Sequence, residues 1–280
     1  MTATPQASSE TPVTLGVIGA GNMGGALVEG WVRSPLPGLR LVVWDKVEAA
    51  GRRLLTSNMV SLAGSLEALV HEADVIFVVV KPKDAAEVLG LLAGRLRGDQ
   101  VIVSAMAGPT LEWMRGVIGP GPALIRIMPN LGVSLGAGAL ALAADAFTDA
   151  ATVQAVTRLL EPLGMAEPVP EDALDVVTAV AGSGPAFLAL VLESLEDGAV
   201  AAGLPRATAQ ALVRQAALDT ARLLPLHDDS AAGLRAHLNA AGDLDRKAMA
   251  VLEDREVRLA FKKAVEAAME RSRGLRAAVH

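Results

Sequence analysis

The 280-residue chain contains no cysteine and no tyrosine, and aromatic residues make up only 2% of it. Without cysteine, disulfides and thiolate metal sites are excluded. The four histidines show no spacing typical of metal ligands, so we expect no metal cofactor. The scarcity of aromatic side chains leaves no stacking platform for nucleic-acid bases. Because no secretion signal is recognisable either, the composition favours a cytoplasmic protein.

The chain also has no excess of basic residues, since its formal net charge is −6. A negative chain is a poor partner for the phosphate backbone of nucleic acids. Hydrophobic residues make up 52% of the chain, and two long runs, Ile127–Ala144 and Val176–Leu192, lack charge. Glycine and proline interrupt both runs, the second at Gly182–Pro185, so neither predicts a membrane span. The apolar content instead predicts helices buried at a subunit interface.

A glycine-rich turn follows the first apolar strand, Val13–Ile18. Its glycines have separate roles: Gly19 permits a tight turn, Gly21 lets a diphosphate approach the backbone, and Gly24 lets the next helix pack on the strand. The N-terminus of that helix then faces the phosphates with free N–H groups. We therefore predict a dinucleotide site, although a purely structural turn is the alternative. The cofactor-binding candidates of this loop are Gly19, Ala20, Gly21, Asn22, Met23 and Gly24.

The second strand ends at Asp45-Lys46, where a dinucleotide-binding sheet contacts the adenosine ribose. A carboxylate at Asp45 accepts hydrogen bonds from the ribose hydroxyls and favours NAD, whereas Lys46 attracts the 2′-phosphate of NADP. The residues leave NAD and NADP both open.

Further candidates follow two later strands. Val80, Lys81 and Pro82 end the apolar strand that begins at Val75, and Ala105 ends the next strand. Doubly wound sheets bind ligands at the carboxyl ends of their strands, so we expect these residues to contact the cofactor. Proline that simply terminates a strand is the alternative for Lys81-Pro82.

The alternation of strands and helices predicts a doubly wound Rossmann-type α/β domain, followed from about Thr148 by helical periodicity. We predict a loose polar tail over residues 1–12, a dinucleotide-binding domain over 13–168 and an all-α domain over 169–280. The boundary falls in a linker, Ala166–Asp172, that holds two prolines. Pro185 suits the first turn of a long helix that we expect to begin at Gly184.

Taken together, these residues resemble the pyrroline-5-carboxylate reductase family over nearly the whole chain. The glycine-rich loop and Val80-Lys81-Pro82 look like the family's cofactor loops. The motifs that carry the rest of the resemblance are Arg126-Ile127-Met128-Pro129-Asn130, Ala181-Gly182-Ser183-Gly184-Pro185-Ala186-Phe187, Glu193, Asp197-Gly198 and Gly203-Leu204-Pro205-Arg206.

The resemblance implies a dinucleotide domain followed by a helical dimerisation domain that interleaves with its twin, with such dimers assembling further into rings. The implied reaction is hydride transfer from NADPH or NADH to the C=N carbon of 1-pyrroline-5-carboxylate, which yields L-proline. A protonated imine is already electrophilic, so orientation carries most of the catalysis and no acid–base residue stands out in the sequence.

The resemblance places the substrate at Ser183, Gly184 and Pro185, and it makes Ser183 and Asn130 catalytic candidates. Ser183 has a structural alternative, in which its hydroxyl caps the following helix. Asn130 could equally be a turn residue or reach the nicotinamide amide or the substrate.

The sequence departs from the family in two places. Leu131-Gly132 replaces the usual Thr-Pro after Asn130, and Ala240–Asp245 replaces a Ser-Pro-Gly-Gly-Thr-Thr loop that holds the substrate carboxylate. We expect Gly242, Asp243 and Leu244 to line the substrate site, and Asp245 to pair with the imine cation or donate its proton. Alternatively, Asp243 or Asp245 caps the next helix. The altered loop keeps a second hypothesis open: a paralogue that reduces another cyclic imine or serves as a weakly active dinucleotide sensor.

Overall fold

The computed structural model describes residues 13–226, 230–240 and 243–277, with the backbone alone at residues 239, 240, 243–245 and 277. The tail predicted for residues 1–12 lies outside the described residues. The chain divides into two units, one formed by the chain up to Gly182 and again from Ala268, the other by Ser183 to Ala267.

The first unit is built on one sheet, which has eight strands in the described part of the chain. Their bounds are β1 (Val13–Ile18), β2 (Leu39–Trp44), β3 (Val60–Leu62), β4 (Val75–Val78), β5 (Val101–Ser104), β6 (Ala123–Met128), β7 (Gly138–Ala144) and β8 (Gly164–Pro168). The spatial order is β3-β2-β1-β4-β5-β6-β7-β8. The chain therefore builds outward from β1 in one direction and from β4 in the other. The switch point of the fold lies between β1 and β4, where doubly wound sheets bind ligands.

All neighbouring strands are parallel except β6 and β7, which are antiparallel. The connection between β6 and β7 is short and contains only a 3₁₀ turn, Leu131–Leu135. A parallel crossover needs a dozen or more residues, so this connection can only reverse the chain.

Helices cover both faces of the sheet. Those of the first unit are α1 (Asn22–Arg33), α2 (Glu48–Arg52), α3 (Leu66–Glu72), α4 (Ala85–Leu92), α5 (Leu111–Ile118), α6 (Ala150–Leu160) and α7 (Leu174–Val177). One apolar cluster joins α1 and α6 to the sheet and contains Phe77, and the other joins α3, α4, α5 and α7 and contains Ile76 and Val78. Successive β4 side chains thus point to opposite faces. The predicted Rossmann-type fold is confirmed.

Two parts of the sequence interpretation are wrong at the end of this unit. The predicted linker begins inside a strand, β8, which pairs with β7 up to Pro168. Pro168 is tolerated because β8 is the edge strand of the sheet, where one side of the backbone needs no ladder partner.

The long helix predicted to begin at Gly184 does begin there, with Pro185 in its first turn, so that prediction is confirmed. The second correction is that Gly182–Pro185 does not break the helical backbone before it. Helical backbone runs from Glu171 to Ala201, with a π-helical turn over Thr178–Gly182. Pro185 has no N–H to give to the carbonyl of Ala181 four residues earlier. Asn130 Nδ2 donates to that carbonyl instead, at 3.0 Å. The wider turn and the Asn130 amide together allow proline inside helical backbone.

Two buried charges hold the chain after β8 in place. Arg126, on β6, is 3% exposed and donates to Glu171 Oε1 at 2.5 Å. Asp175 is 5% exposed and accepts hydrogen bonds from Ser272 Oγ at 2.7 Å and Arg276 Nη2 at 2.5 Å. The first pair attaches the segment after β8 to β6, and the second attaches Ser272 and Arg276 to that segment.

The second unit is helical. Its helices are α8 (Gly184–Ala201), α9 (Arg206–Leu223), α10 (Ala231–Ala240), α11 (Asp243–Asp254) and α12 (Val257–Ala277), of which α12 ends in the first unit. Leu188, Leu190 and Leu195 of α8 are more than half exposed. By length and composition alone, one helix in the described part of the chain, Glu171–Ala201, could cross a membrane.

We expect Gly30→Ala to lower the free energy of unfolding by about 2 kcal/mol, because overpacking here cannot be relieved by a flexible side chain. A Cβ at Gly30 would lie 2.3 Å from the carbonyl oxygen of Val133 and 2.5 Å from Leu163 Cδ2. The matched control is Gly90→Ala in α4, which is exposed and meets no atom within 4 Å. Alanine there should stabilise by about 0.5–1 kcal/mol through helix propensity. Denaturant titrations of both variants measure the difference, and equal effects would contradict the close packing at Gly30.

Asn130→Ala should cost about 2–4 kcal/mol, since it leaves three backbone groups without their partner. Asn130 Oδ1 accepts from the N–H groups of Gly132 at 3.2 Å and Ala139 at 3.1 Å, in addition to the bond to Ala181. Asn58→Ala, at an exposed turn position, is the control and should change stability by less than about 0.5 kcal/mol. A loss at Asn130 no larger than at Asn58, in the same titration, would show that these bonds contribute nothing net.

Candidate functional site

The glycine-rich loop lies at the switch point of the sheet, and two of its glycines are required by close approaches. Gly19 has φ 101°, and a Cβ there would lie 2.4 Å from the carbonyl oxygen of Val79, just beyond β4. A Cβ at Gly24 would lie 1.8 Å from the carbonyl oxygen of Gly19 and 3.7 Å from Val17 Cγ1. The loop is therefore pressed between β4 and α1, and no side chain fits at either position.

Gly21 is different, because neither its backbone conformation nor a close contact requires glycine at this position. Its φ of −66° suits any residue, and a Cβ built on it meets no atom within 4 Å. A side chain here would extend into open space beside the first turn of α1. The position fits a ligand that must come closer to the backbone than a side chain would allow.

The first turn of α1 is suited to an anion. The N–H groups of Asn22, Met23 and Gly24 have no carbonyl partner within the helix by its geometry. No side chain of the described residues caps this terminus, and its first turn carries no acidic residue. Free N–H groups and the positive end of the helix dipole together attract phosphate oxygens.

Asp45 and Arg53 hold this loop from outside. Asp45 Oδ2 accepts the N–H of Ala20 at 2.6 Å, and its Oδ1 accepts the N–H of Val47 at 2.8 Å. Arg53 Nη2 donates to the carbonyl oxygens of Ala20 at 2.6 Å and Gly21 at 3.2 Å. The N–H of Ala20 is therefore already used, and its side chain is buried. These bonds show Ala20 shaping the loop, and its contact with a coenzyme stays a prediction.

A cleft opens between this loop, the end of β2 and the segment after β4. Six of the sequence-predicted residues line it: Gly19, Gly21, Asp45, Lys46, Val80 and Lys81. Ala20, Asn22, Met23, Gly24, Pro82 and Ala105 are not among the residues that line it. The lining residues that the sequence interpretation missed are Trp44, Val79, Lys83, Asp84, Glu87, Val88 and Leu91. Most of these lie on the segment that turns back towards β2, and only the topology brings that segment to the cleft.

One ion pair crosses the cleft. Lys46 Nζ donates to Asp84 Oδ1 at 3.0 Å. This hydrogen bond lowers the pKa of the Asp84 carboxyl and raises the pKa of the Lys46 ammonium. Both groups are therefore charged at neutral pH, and part of the positive charge of Lys46 is already balanced. Lys81 and Lys83 add positive charge to the same cleft.

The described residues that line this cleft include none of the candidates for substrate binding. Asn130 is half-buried, and its amide is committed to Gly132, Ala139 and Ala181, which favours the turn-forming alternative. Ser183 makes no capping hydrogen bond within the described residues, so the capping alternative is wrong. It fails because the backbone before Ser183 is already helical.

Gly184 and Pro185 form the beginning of α8 in the second unit. Gly242 lies outside the described residues. Asp243, Leu244 and Asp245 are described only as the backbone of the first turn of α11. The substrate and catalytic roles of all these residues stay predictions.

Comparison with known families matches both halves of the chain. Residues 171–275 match the family described as pyrroline-5-carboxylate reductase dimerisation, and residues 14–108 match one described as NADP oxidoreductase, coenzyme F420-dependent. The chain is 33% identical to the pyrroline-5-carboxylate reductase of Synechocystis sp., over 94% of this chain and 98% of that protein. It is 31% identical to that of Escherichia coli, over 93% of this chain and 97% of that protein.

Solved structures agree with this result. The chain is similar to a pyrroline-5-carboxylate reductase from Coxiella burnetii, with TM-score 0.85 and 26% identity over 95% of this chain and 99% of that one. Its fold also matches the Plasmodium falciparum pyrroline carboxylate reductase solved with NADP bound, with TM-score 0.82 and 24% identity over 94% and 98% of the two chains. The chain belongs to the pyrroline-5-carboxylate reductase family.

Proposed function

We propose that this chain reduces the C=N bond of 1-pyrroline-5-carboxylate to L-proline, with the hydride supplied by NADPH or NADH. The observation that carries the coenzyme half of the proposal is Gly21, a glycine with open space at its Cβ position beside an uncapped helix terminus. The substrate half is supported by relatives that match nearly end to end and carry the name of this reaction.

The residues present fit a dinucleotide. The diphosphate binds at the N–H groups of Asn22, Met23 and Gly24, where Gly21 leaves room for it. Asp45 and Lys46 lie where the adenosine ribose is held, and Val80 and Lys81 continue the cleft beyond β4. Pro82 and Ala105, at the carboxyl ends of β4 and β5, contact the coenzyme as well. When bound, the reduced nicotinamide supplies the hydride.

The pair Asp45 and Lys46 leaves room for both coenzymes. The Asp45 carboxylate is already bonded to Ala20 and Val47, so its charge is partly balanced by backbone N–H groups. Lys46 keeps a positive charge beside the ribose although Asp84 shares it. We infer that NADPH and NADH are both accepted.

At the imine, the protein's task is orientation and proton supply. Ser183, Gly184 and Pro185 of the shared signature bind the substrate, and Ser183 offers a hydroxyl that does not cap its helix. Gly242, Asp243 and Leu244 line the same site, and Asp245 pairs with the imine cation or donates a proton to it. Asn130 acts through the carbonyl of Ala181, which it holds at the start of that signature.

The protein is a homodimer, assembled through the helical region that begins near residue 171. We propose the functional division at residues 168–169, as the sequence interpretation has it. A partner covers the exposed leucines of α8, so the helix Glu171–Ala201 lies in a subunit interface rather than a membrane. We further propose that the dimers form a ring and that the enzyme works in the cytoplasm.

The deciding experiment follows NADPH and NADH oxidation with two substrates, 1-pyrroline-5-carboxylate and 1-pyrroline, which has no carboxylate. We expect turnover of the acid with both coenzymes, at rates ordinary for an enzyme, about 1 s⁻¹ or faster. Turnover of 1-pyrroline alone would contradict the proposed substrate. Binding of coenzyme without turnover of either imine would contradict the proposed activity.

The glycine loop has its own test. Gly21→Val fills the open space beside the first turn of α1, so we expect the Kd for NADH and NADPH to rise by about 10-fold or more, a loss of at least 1.4 kcal/mol. The thermal midpoint without coenzyme should stay within about 2 °C of the original, since no protein atom lies near the new side chain. Gly98→Val, at another exposed and open glycine, is the control. Normal binding by Gly21→Val would show that the diphosphate lies elsewhere.

A further inference from the structure

We propose that Arg53 is a positioning residue for the coenzyme, which acts by holding two carbonyl groups of the glycine-rich loop away from the diphosphate. The inference deepens the proposed function and rests on it. No sequence motif points to Arg53, which follows α2 in an exposed position.

The contacts fix two consecutive peptide groups. Asp45 accepts the N–H of Ala20, and Arg53 takes the carbonyl of Ala20 at 2.6 Å. The same Arg53 nitrogen reaches the carbonyl of Gly21 at 3.2 Å, and the N–H of Gly25 also donates to that carbonyl at 2.8 Å. An anionic and a cationic side chain thus hold opposite ends of one residue of the loop.

Because the peptide group is planar, holding its carbonyl also fixes the direction of its N–H group, which a ligand could contact. In a trans peptide the C=O of one residue and the N–H of the next point in opposite directions. When Arg53 holds the carbonyls of Ala20 and Gly21, the N–H groups of Gly21 and Asn22 must point to the other side of the loop. Peptide carbonyls repel phosphate and N–H groups attract it, so this orientation decides whether the loop can bind an anion.

The N–H of Gly25 already holds the carbonyl of Gly21, whereas the carbonyl of Ala20 is held by Arg53. Gly21 has no side chain to restrict its backbone, and the N-terminus of α1 has no capping side chain among the described residues. A hydrogen bond from a guanidinium is charge-assisted and about twice as strong as a neutral one. The backbone at Arg53 is also held in place, because the next residue, Leu54, is buried in the core. Arg53 therefore lowers the entropy that the free loop would lose on binding.

The chain provides a matched control one residue away. Arg52 carries the same charge at the same end of α2, but its guanidinium is bonded to Glu48 at 2.9 Å. Arg52→Met and Arg53→Met remove the same charge from neighbouring positions with little change in side-chain length. NADH is the decisive probe, since it lacks the 2′-phosphate that any nearby cation would attract.

The experiment measures the Kd of NADH and of NADPH for the full-length protein and both variants by fluorescence titration, with the thermal midpoint and steady-state kinetics beside them. We expect Arg53→Met to raise both Kd values by about tenfold, the loss of one charge-assisted hydrogen bond. The KM for coenzyme should rise, while kcat and the KM for the imine stay within about twofold, because the affected step is binding. Arg52→Met should leave the Kd of NADH within about twofold, as exposed ion pairs contribute little.

Three results would overturn the inference. An unchanged Kd of NADH in Arg53→Met would show that the loop keeps its orientation without Arg53. Weakened binding of NADPH alone would make Arg53 a direct ligand of the 2′-phosphate. A thermal midpoint more than about 5 °C lower would make its role a general structural one. If the unmodified protein binds neither NADH nor NADPH, the proposed function itself is contradicted. That result differs from the three above, which all concern the Arg53→Met variant.

Discussion

The close approach of three backbone segments at Gly19 and Gly24 sets the geometry on which the first unit depends. The carbonyl of Val79 lies 2.4 Å from where a Cβ of Gly19 would be, and the carbonyl of Gly19 lies 1.8 Å from where a Cβ of Gly24 would be. Because no side chain intervenes, β1, β4 and the first turn of α1 meet at the switch point of the sheet. The unpaired N–H groups of α1 are thereby exposed at the edge where a ligand can reach them.

This arrangement needs further support, because glycine removes bulk but does not hold a conformation. Asp45 and Arg53 supply that support from β2 and α2, one bonding an N–H and the other two carbonyls. Asp45 thus has a second role beside the ribose contact that its place in the sequence indicates. Backbone groups of the loop beside the cleft are thus hydrogen-bonded by two charged side chains, Asp45 in the cleft lining and Arg53 outside it.

A similar relation links two motifs that are distant in sequence. Asn130 follows β6, and Ala181 precedes Pro185 in the helical signature. Pro185 has no N–H for the carbonyl of Ala181, which lies in the π-helical turn, and the Asn130 amide donates to that carbonyl. The motif after β6 thus supplies the hydrogen-bond donor that the proline of the helical signature removes. The structure shows Asn130 in this structural role, and its catalytic role stays a prediction.

The sequence by itself determined the strands, the turn at Gly19–Gly24, the helical second half and the family, because these depend on local periodicity, on glycine conformation and on motifs several residues long. It did not determine β8, whose pairing with β7 overrides two prolines nearby, nor the helical path through Gly182–Pro185. The contacts of Arg53 and Asp84 were also decided only by the tertiary structure, since they cross tens of residues of chain. The same holds for the place of Lys83 in the cleft. Local sequence limits the conformations that a backbone segment can adopt, whereas hydrogen bonds between distant segments decide which of those conformations is stable.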